Sequence, residues 1–319
     1  MKVSTALLLL SMASLAAEGV HAQSQDGPPA WAYPANPPNF QRTPDDGTIR
    51  HVPDSTAGFT LTQVRDLFAA PDWHPDDHPT MPEIVATGRK PDVFACGVCH
   101  RVDGPGGPEN ASLFGLSAEY IMQQTAEFKA GLRTNSVPRL ATNLMIKLSK
   151  AVTDQELREA AAYFASIKSR SNMSVVETDS VPKTHVRDLF LVPLDGTEKE
   201  PIGPRIIEIP ENVDDFVSRD SRARFIAYVP VGSVQKGRAL ATNGALRVQC
   251  VACHGHDLKG TDIAPRIAGR SPTYMFRQLY DFRSGARRGA NSELMKPVVE
   301  NLSIDDMIAL VAYSASLMP

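Results

Sequence analysis

The chain contains two short motifs in which the residue types and their spacing could carry chemistry. Both have the form C-x-x-C-H, and their members are Cys96, Cys99 and His100 in the first and Cys250, Cys253 and His254 in the second. The two motifs use all four cysteines of the 319-residue chain. The cysteines therefore serve one purpose, which the chain repeats.

A C-x-x-C-H motif suits the covalent attachment of haem c. Two cysteines on one helical turn can form thioethers with neighbouring vinyl groups of a porphyrin, and the next histidine can bind its iron. A thioredoxin-like site would use one pair near a βαβ pattern, which is missing here, and a zinc site would normally place its pairs much closer than 154 residues apart. We expect two covalently attached haem c groups, with the four cysteines as attachment points and both histidines as iron ligands.

The neighbourhoods of the two motifs also repeat. Residues 113–133 align without a gap with residues 267–287, at the offset of 154 residues that separates the motifs. A second pair of blocks, residues 144–167 and 294–317, matches at an offset of 150 residues. A loop can absorb the four-residue difference between the offsets. The sequence therefore contains two copies of one haem-binding unit.

Helix signals occur at matching places in the two copies. They comprise an N-cap followed by proline at Ser271-Pro272, glycines at the expected helix ends at Gly131 and Gly285, and capping boxes at Thr153 with Glu156 and Ser303 with Asp306. We expect a helix before each haem motif, a middle helix and a carboxy-terminal helix. The predicted fold class is mainly α.

Each iron needs a second axial ligand or an open site. Met145 and Met295 occupy matching positions, 45 and 41 residues beyond the motif histidines, and thioether sulfur is a common ligand of haem iron. We expect Met145 to bind the first iron and Met295 the second. The other candidates are Met122 and Met275, which do not align with each other, and His51, His74, His78, His185 and His256.

These residues resemble class I cytochrome c, and the duplication resembles the di-haem cytochromes of the c4 type. The second copy carries the resemblance in "CVACHG", "PRIAGRSPTYMFRQLYDFRSGAR", "LM" and "VAYSASL". By this resemblance the carbonyl of Pro265 accepts a hydrogen bond from the far nitrogen of His254. The first copy departs from the pattern, with Ala111 opposite Pro265 and Arg101 in place of glycine. These departures bring the geometry of the first site into question.

The remaining segments complete the predicted organisation of two tandem class I cytochrome c domains. The residues before Ala22 have a basic start, an apolar run too short to span a bilayer and a small-x-Ala end, as in a signal peptide cleaved after Ala22. The predicted parts are a signal peptide (1–22), an extended proline-rich arm with one short helix (23–80), cytochrome c domain 1 (81–168), a partly β inter-domain insert that packs on the haem domains (169–232) and cytochrome c domain 2 (233–319).

An iron with both axial positions filled by the protein suits electron transfer. We therefore expect a periplasmic electron carrier and not an enzyme. Its partners would be redox proteins: a dehydrogenase or quinol-oxidising complex as donor, and an oxidase or cytochrome as acceptor. We expect no nucleic-acid partner and no membrane span in the mature chain, whose composition is that of a soluble protein with a net charge of −3. The alternatives are a peroxidase-like di-haem enzyme and a cytochrome subunit of a larger dehydrogenase.

Overall fold

The computed structural model describes residues 27–243 and 249–319. Residues 1–22, the predicted signal peptide, lie outside the described residues. The described helices form two groups, one around each C-x-x-C-H motif, and a β-rich segment lies between them in the sequence. No helix in the described part of the chain has the length and apolar character needed to cross a membrane.

The first helical group follows an arm with little regular structure. The described part of the arm contains one short α-helix, where the sequence predicts a helix, and two single-turn 3-10 helices, Ala30–Ala32 and Pro75–Asp77. The helices of these two parts are α1 (Leu61–Val64) in the arm, and α2 (Glu83–Ala86), α3 (Cys96–His100), α4 (Ala118–Lys129), α5 (Leu140–Ala151) and α6 (Asp154–Ser166) in the first group. The first group has its own apolar core, which includes Phe114 and Phe164.

The segment between the groups contains seven strands and one short helix. These are β1 (Met173–Glu177), β2 (Ser180–Pro182), β3 (Thr184–Arg187), β4 (Phe190–Pro193), β5 (Lys199–Pro201), β6 (Ile207–Pro210), α7 (Val213–Val217) and β7 (Phe225–Val229). Strand β7 pairs in parallel with β1 and antiparallel with β6, while β2–β5 and β3–β4 form two antiparallel pairs. The insert is thus partly β, and its strands β6 and β7 are neighbours in one sheet.

The second helical group repeats the order of the first. Its helices are α8 (Ser233–Thr242), α9 (Cys250–His254), α10 (Pro272–Arg283), α11 (Ser292–Val299) and α12 (Ile304–Ser316). The starts of helices in both groups follow the sequence signals. The Ser271 side chain caps α10, and the capping boxes at Thr153 and Ser303 begin α6 and α12. Gly131 and Gly285 follow α4 and α10 with φ of 69° and 76°, a conformation that glycine adopts without strain.

The helix before the haem motif differs between the two groups. In the second group, α8 packs so closely on α12 that a Cβ atom at Gly237 would lie 1.9 Å from the carbonyl oxygen of Ala309. In the first group the same place holds only the four-residue α2. The helix that we expect before each motif is present in both groups, but in the first it is a single turn, and the described residues there form no counterpart of the longer α8. The arm packs against that group in its place, with the Leu67 carbonyl 2.9 Å from the Ala95 amide.

The segment 169–232 contacts both helical groups. On the first group, Arg170 forms an ion pair with the fully buried Asp103. On the second, the carboxylate of Glu208 accepts hydrogen bonds from the Ser271 hydroxyl at 2.8 Å and the Thr273 amide at 3.0 Å. Glu208 thus provides a hydrogen-bond acceptor at the positive end of α10. The segment is packed structure in contact with both helical groups.

Candidate haem sites

Each C-x-x-C-H motif forms a single helical turn that ends at a residue with positive φ. The first turn, α3, ends at Arg101 with φ of 67°, and the second, α9, ends at Gly255 with φ of 83°. A non-glycine residue in this conformation is strained. The Arg101 side chain is buried, and its guanidinium lies 4.9 Å from the ring centre of Phe216. Packing against Phe216 therefore accompanies the strained backbone at Arg101.

The two motif histidines are held in the same way. The Nδ1 atom of His100 lies 2.8 Å from the carbonyl oxygen of Ala111, and Nδ1 of His254 lies 2.7 Å from that of Pro265. Because a carbonyl oxygen can only accept, each Nδ1 carries the proton and each Nε2 keeps its free electron pair. Burial also lowers the pKa of both imidazoles, which favours the neutral form. Both histidines are therefore oriented as metal ligands.

The hydrogen bond of His100 shows that the substitution at position 111 does not change this contact. Ala111 stands where the second copy has Pro265, and its backbone carbonyl makes the same contact. The structure thus removes the question that the missing proline raised about the orientation of His100. The acceptor is a backbone atom, so its position in the fold matters and its side chain does not.

The sequence-predicted site residues line one cavity of about 690 Å³. Met145 lies on α5 and Met295 on α11, and both are half-buried. The predicted residues on its wall are Cys96, Cys99, His100, Met145, Cys250, Cys253, His254, Pro265 and Met295. The cavity runs between the two helical groups, so that both motifs face one continuous space.

Most of the alternative ligands lie outside this cavity. None of the five other candidate histidines is on its wall: His74 faces Asp220 at 3.0 Å, for example, and His256 is exposed. Met122 is also absent from the wall, whereas Met275 is present. The gapless alignment places Ile121 opposite Met275, and Ile121 lines the cavity too. Because isoleucine cannot bind iron, the property that Ile121 and Met275 share is apolar packing. The repeat therefore does not support Met275 as an iron ligand.

The four cysteines form no disulfide with one another. Burial raises the pKa of Cys96 to about 12 and that of Cys250 to about 11. Neutral thiols on an apolar wall are poor zinc ligands and weak nucleophiles. Their position suits the formation of thioethers to a group inside the cavity.

Arg139 is a cavity residue that the sequence reasoning missed. It is 8% exposed, it lies on the cavity wall, and both of its terminal nitrogens lack a hydrogen-bond partner in the described part of the chain. Burial lowers its pKa to about 9. An unpaired buried cation is costly unless an anion completes it. Haem carries two carboxylates, so the cavity fits haem in charge as well as in its cysteines and histidines. A lone arginine outside the repeat gives no sequence signal for this role.

Two cysteine pairs and two oriented histidines on a shared cavity define a c-type cytochrome that carries two haem c groups. The chain belongs to the cytochrome c family, and it is a class I di-haem cytochrome that resembles cytochrome c4. The cytochrome c family profile matches residues 234–317. Cytochrome c-554(548) of Halomonas halodenitrificans is 41% identical over 68 residues, which are 82% of that protein and 21% of this chain.

Longer similarities cover most of the chain. Cytochrome c4 of Pseudomonas aeruginosa is 28% identical over 230 residues, which cover 70% of this chain and 83% of that protein. Among solved structures, a thiosulfate dehydrogenase (TsdBA) from Marichromatium purpuratum matches with a TM-score of 0.50 and 25% identity. That match covers 73% of this chain but only 38% of the other one. This chain is thus similar to a part of that enzyme.

Proposed function

We propose that this protein is an exported electron carrier with two tandem class I cytochrome c domains, at residues 81–168 and 233–319. One observation carries the proposal: both motifs present a histidine with a free Nε2 atom to a cavity that also holds a methionine from the same copy. A protein that fills both axial positions leaves no iron site for a substrate. This arrangement supports electron transfer over catalysis.

Different residues of the chain would attach haem, bind its iron and orient the iron ligands. The four motif cysteines would attach it, His100 and Met145 would bind the first iron, and His254 and Met295 the second. The carbonyls of Ala111 and Pro265 fix the orientation of the two imidazoles. When bound, haem iron supplies a one-electron redox change.

The predicted leader and arm complete the proposal. A leader at residues 1–22, removed after Ala22, would deliver the chain to the periplasm, where c-type cytochromes of the c4 kind work. Residues 23–80 would form an arm and residues 169–232 an inter-domain insert. The contacts of the insert with both helical groups support a role as structure, because Arg170 and Glu208 both bind partners outside it.

The donor would be a periplasmic dehydrogenase or a quinol-oxidising complex, and the acceptor an oxidase or another cytochrome. Similarity to a protein of Stutzerimonas stutzeri that is named thiosulfate dehydrogenase electron acceptor favours an oxidoreductase of that kind as one candidate donor. The likeness to part of a thiosulfate dehydrogenase favours a larger complex in which this chain is the cytochrome subunit. The same likeness keeps the di-haem enzyme as the alternative. A di-haem enzyme that uses a cysteine as an iron ligand would need a cysteine outside the haem motifs. All four cysteines belong to those motifs, so an enzyme of that kind is disfavoured.

The visible spectrum of the oxidised and reduced protein tests the proposal. The protein would be produced with a haem-attachment system, and its concentration determined independently. We expect two haems per chain, a low-spin spectrum and the weak far-red band of iron–methionine sulfur at the intensity of two sites. A high-spin signal that responds readily to cyanide or peroxide would instead support the peroxidase-like enzyme.

A further inference from the structure

The outer faces of the two motif turns differ in burial although they occupy equivalent sequence positions. Val98 is 0% exposed, and its counterpart Ala252 is exposed. All eight residues of 101–108 are buried, whereas in the equivalent stretch 255–262 only Leu258 is buried. The first motif is therefore covered on the side away from the cavity, and the second is open there.

The cover over the first motif comes from the arm and the insert. From the insert, the Arg219 guanidinium donates a hydrogen bond to the Val98 carbonyl, and the Phe216 ring lies under Arg101. From the arm, Ala70 packs so closely on Gly97 that an added Cβ atom there would lie 3.0 Å from its Cβ. Neither segment has a counterpart over the second motif among the described residues.

The arm and the insert, which cover the first motif, are also joined to each other by hydrogen bonds. The indole nitrogen of Trp73 in the arm donates to the Ser218 carbonyl at 2.8 Å in the insert. His74 of the arm lies 3.0 Å from the carboxylate of Asp220. The side chains of Trp73 and His74 are almost completely buried. Buried, paired polar groups of this kind hold a single arrangement, so the cover is a fixed part of the fold.

The second copy exposes two large apolar side chains at the cavity, and charged residues near the second motif are exposed as well. Ile263 is 68% exposed and Leu294 is 66% exposed, and both also line the cavity that holds Met295. The exposed residues near the second motif include Asp257, Lys259 and Asp262, with charges of both signs. Small interfaces with an apolar centre and a polar rim are typical of short-lived contacts between redox proteins.

We propose that electrons enter and leave this protein only at the second motif, through a redox protein that docks on the surface of Ala252, Ile263 and Leu294. The first haem then exchanges electrons with the outside through the second. The occupant of this surface is a protein that presents its own cofactor within a small apolar patch. This inference rests on the proposed electron-carrier function.

A redox-inert anion can map the accessible face in the fully reduced, haem-loaded protein. The probe is hexacyanochromate(III), which is paramagnetic and broadens nearby amide signals in NMR spectra. We expect it to broaden the signals of Ala252, His256 and Ile263 and to leave those of Val98, Val102 and Asp103 sharp. Equal broadening at the first motif would overturn the proposal, because a site open to this small ion is not closed.

Stopped-flow oxidation by hexacyanoferrate(III) tests the route of both electrons. Each reduced iron gives one electron to one hexacyanoferrate(III), which becomes hexacyanoferrate(II), so one chain consumes two ions. Since the ion is an anion, Ile263→Glu should slow both kinetic phases by about threefold and Ile263→Lys should speed both. Ile49→Glu and Ile49→Lys, at an arm residue that is 53% exposed, are the matched controls and should change neither phase.

The two experiments separate the failure of this inference from that of the proposed function. A phase that does not respond to the charge at position 263 would mean that the first haem has its own exit, and the inference would be wrong while the carrier function stood. Open or high-spin iron in the visible spectrum would instead remove the carrier function. The broadening map is read on the reduced protein and does not depend on any reaction.

Discussion

Arg133 and Arg287, which occupy equivalent positions in the two repeats, pair with each other across an antiparallel β-bridge between the two helical groups. Both guanidinium groups are buried, and they share acceptors in a two-fold pattern. The Oε1 atom of Gln124 accepts from both arginines at 2.7 Å, and that of Gln278 accepts from both at 3.0 and 3.1 Å. Duplicated residues thus hold the two halves of the protein together.

Substitution of Gln124 tests this interface. Gln124→Ala removes one of the two glutamine acceptors that the buried guanidinium groups share, so we expect the free energy of unfolding to fall by about 1–3 kcal/mol. Chemical denaturation of the haem-loaded protein measures the change. Gln155→Ala, at an exposed residue on α6, is the control and should stay within about 0.5 kcal/mol of the wild type. Equal stability of the two variants would show that the network contributes little.

The buried position of Arg139 on the cavity wall predicts an effect on redox potential. A buried cation beside the cavity disfavours the more positive, oxidised iron, so Arg139→Gln should lower at least one midpoint potential. We expect a shift of several tens of millivolts, on a scale where about 59 mV is a tenfold change for one electron. Potentiometric titration followed at the visible bands measures it. Arg158→Gln, at an exposed arginine, should leave both potentials unchanged, and identical titrations for the two variants would contradict the prediction.

The proposed methionine ligands can be tested one at a time. Met295→Leu keeps the volume of the side chain but removes its sulfur, so the far-red band should fall to about half its intensity while both haems stay attached. Met275→Leu is the matched control, because Met275 lines the same cavity and should leave the band intact. The reverse result would make Met275 the ligand. Met145→Leu, compared with Met122→Leu, applies the same test to the first site.

Glu156 predicts a pH dependence of stability. The Arg89 guanidinium at 2.7 Å and the backbone of Thr153 lower the pKa of its carboxyl group to about 2. The unfolded value is about 4.3. Because the folded value is the lower one, this contribution is present above pH ~4.3 and is lost as the pH falls towards 2. Arg89 is half exposed, which limits the contribution to about 1 kcal/mol or less.

Glu156→Gln should therefore flatten the loss of unfolding free energy between pH 5 and pH 2.5, measured by denaturant titration at each pH. Glu159→Gln, at an exposed residue of the same helix, serves as the control and should retain the wild-type slope. An unchanged slope in Glu156→Gln would assign the acid sensitivity to other carboxyl groups.

Local patterns in the sequence determined most of the helical structure. The capping boxes at Thr153 and Ser303, the proline after Ser271 and the glycines after α4 and α10 all act within a few residues, so their positions can be read directly. The C-x-x-C-H spacing is local in the same sense. The exact repeat offset then linked the two copies without any tertiary information.

Only the tertiary structure decided which parts of the two repeats are buried and which are exposed. The contact of His100 with the Ala111 carbonyl, the burial of Arg139 at the cavity and the cover of Val98 by Arg219 all depend on how separate segments pack together. The repeat predicts two equal sites, yet the arm and the insert close one face and leave the other open. Sequence patterns describe the conformation of neighbouring residues, whereas burial depends on which distant segments pack there, and for this chain those segments lie outside the repeat.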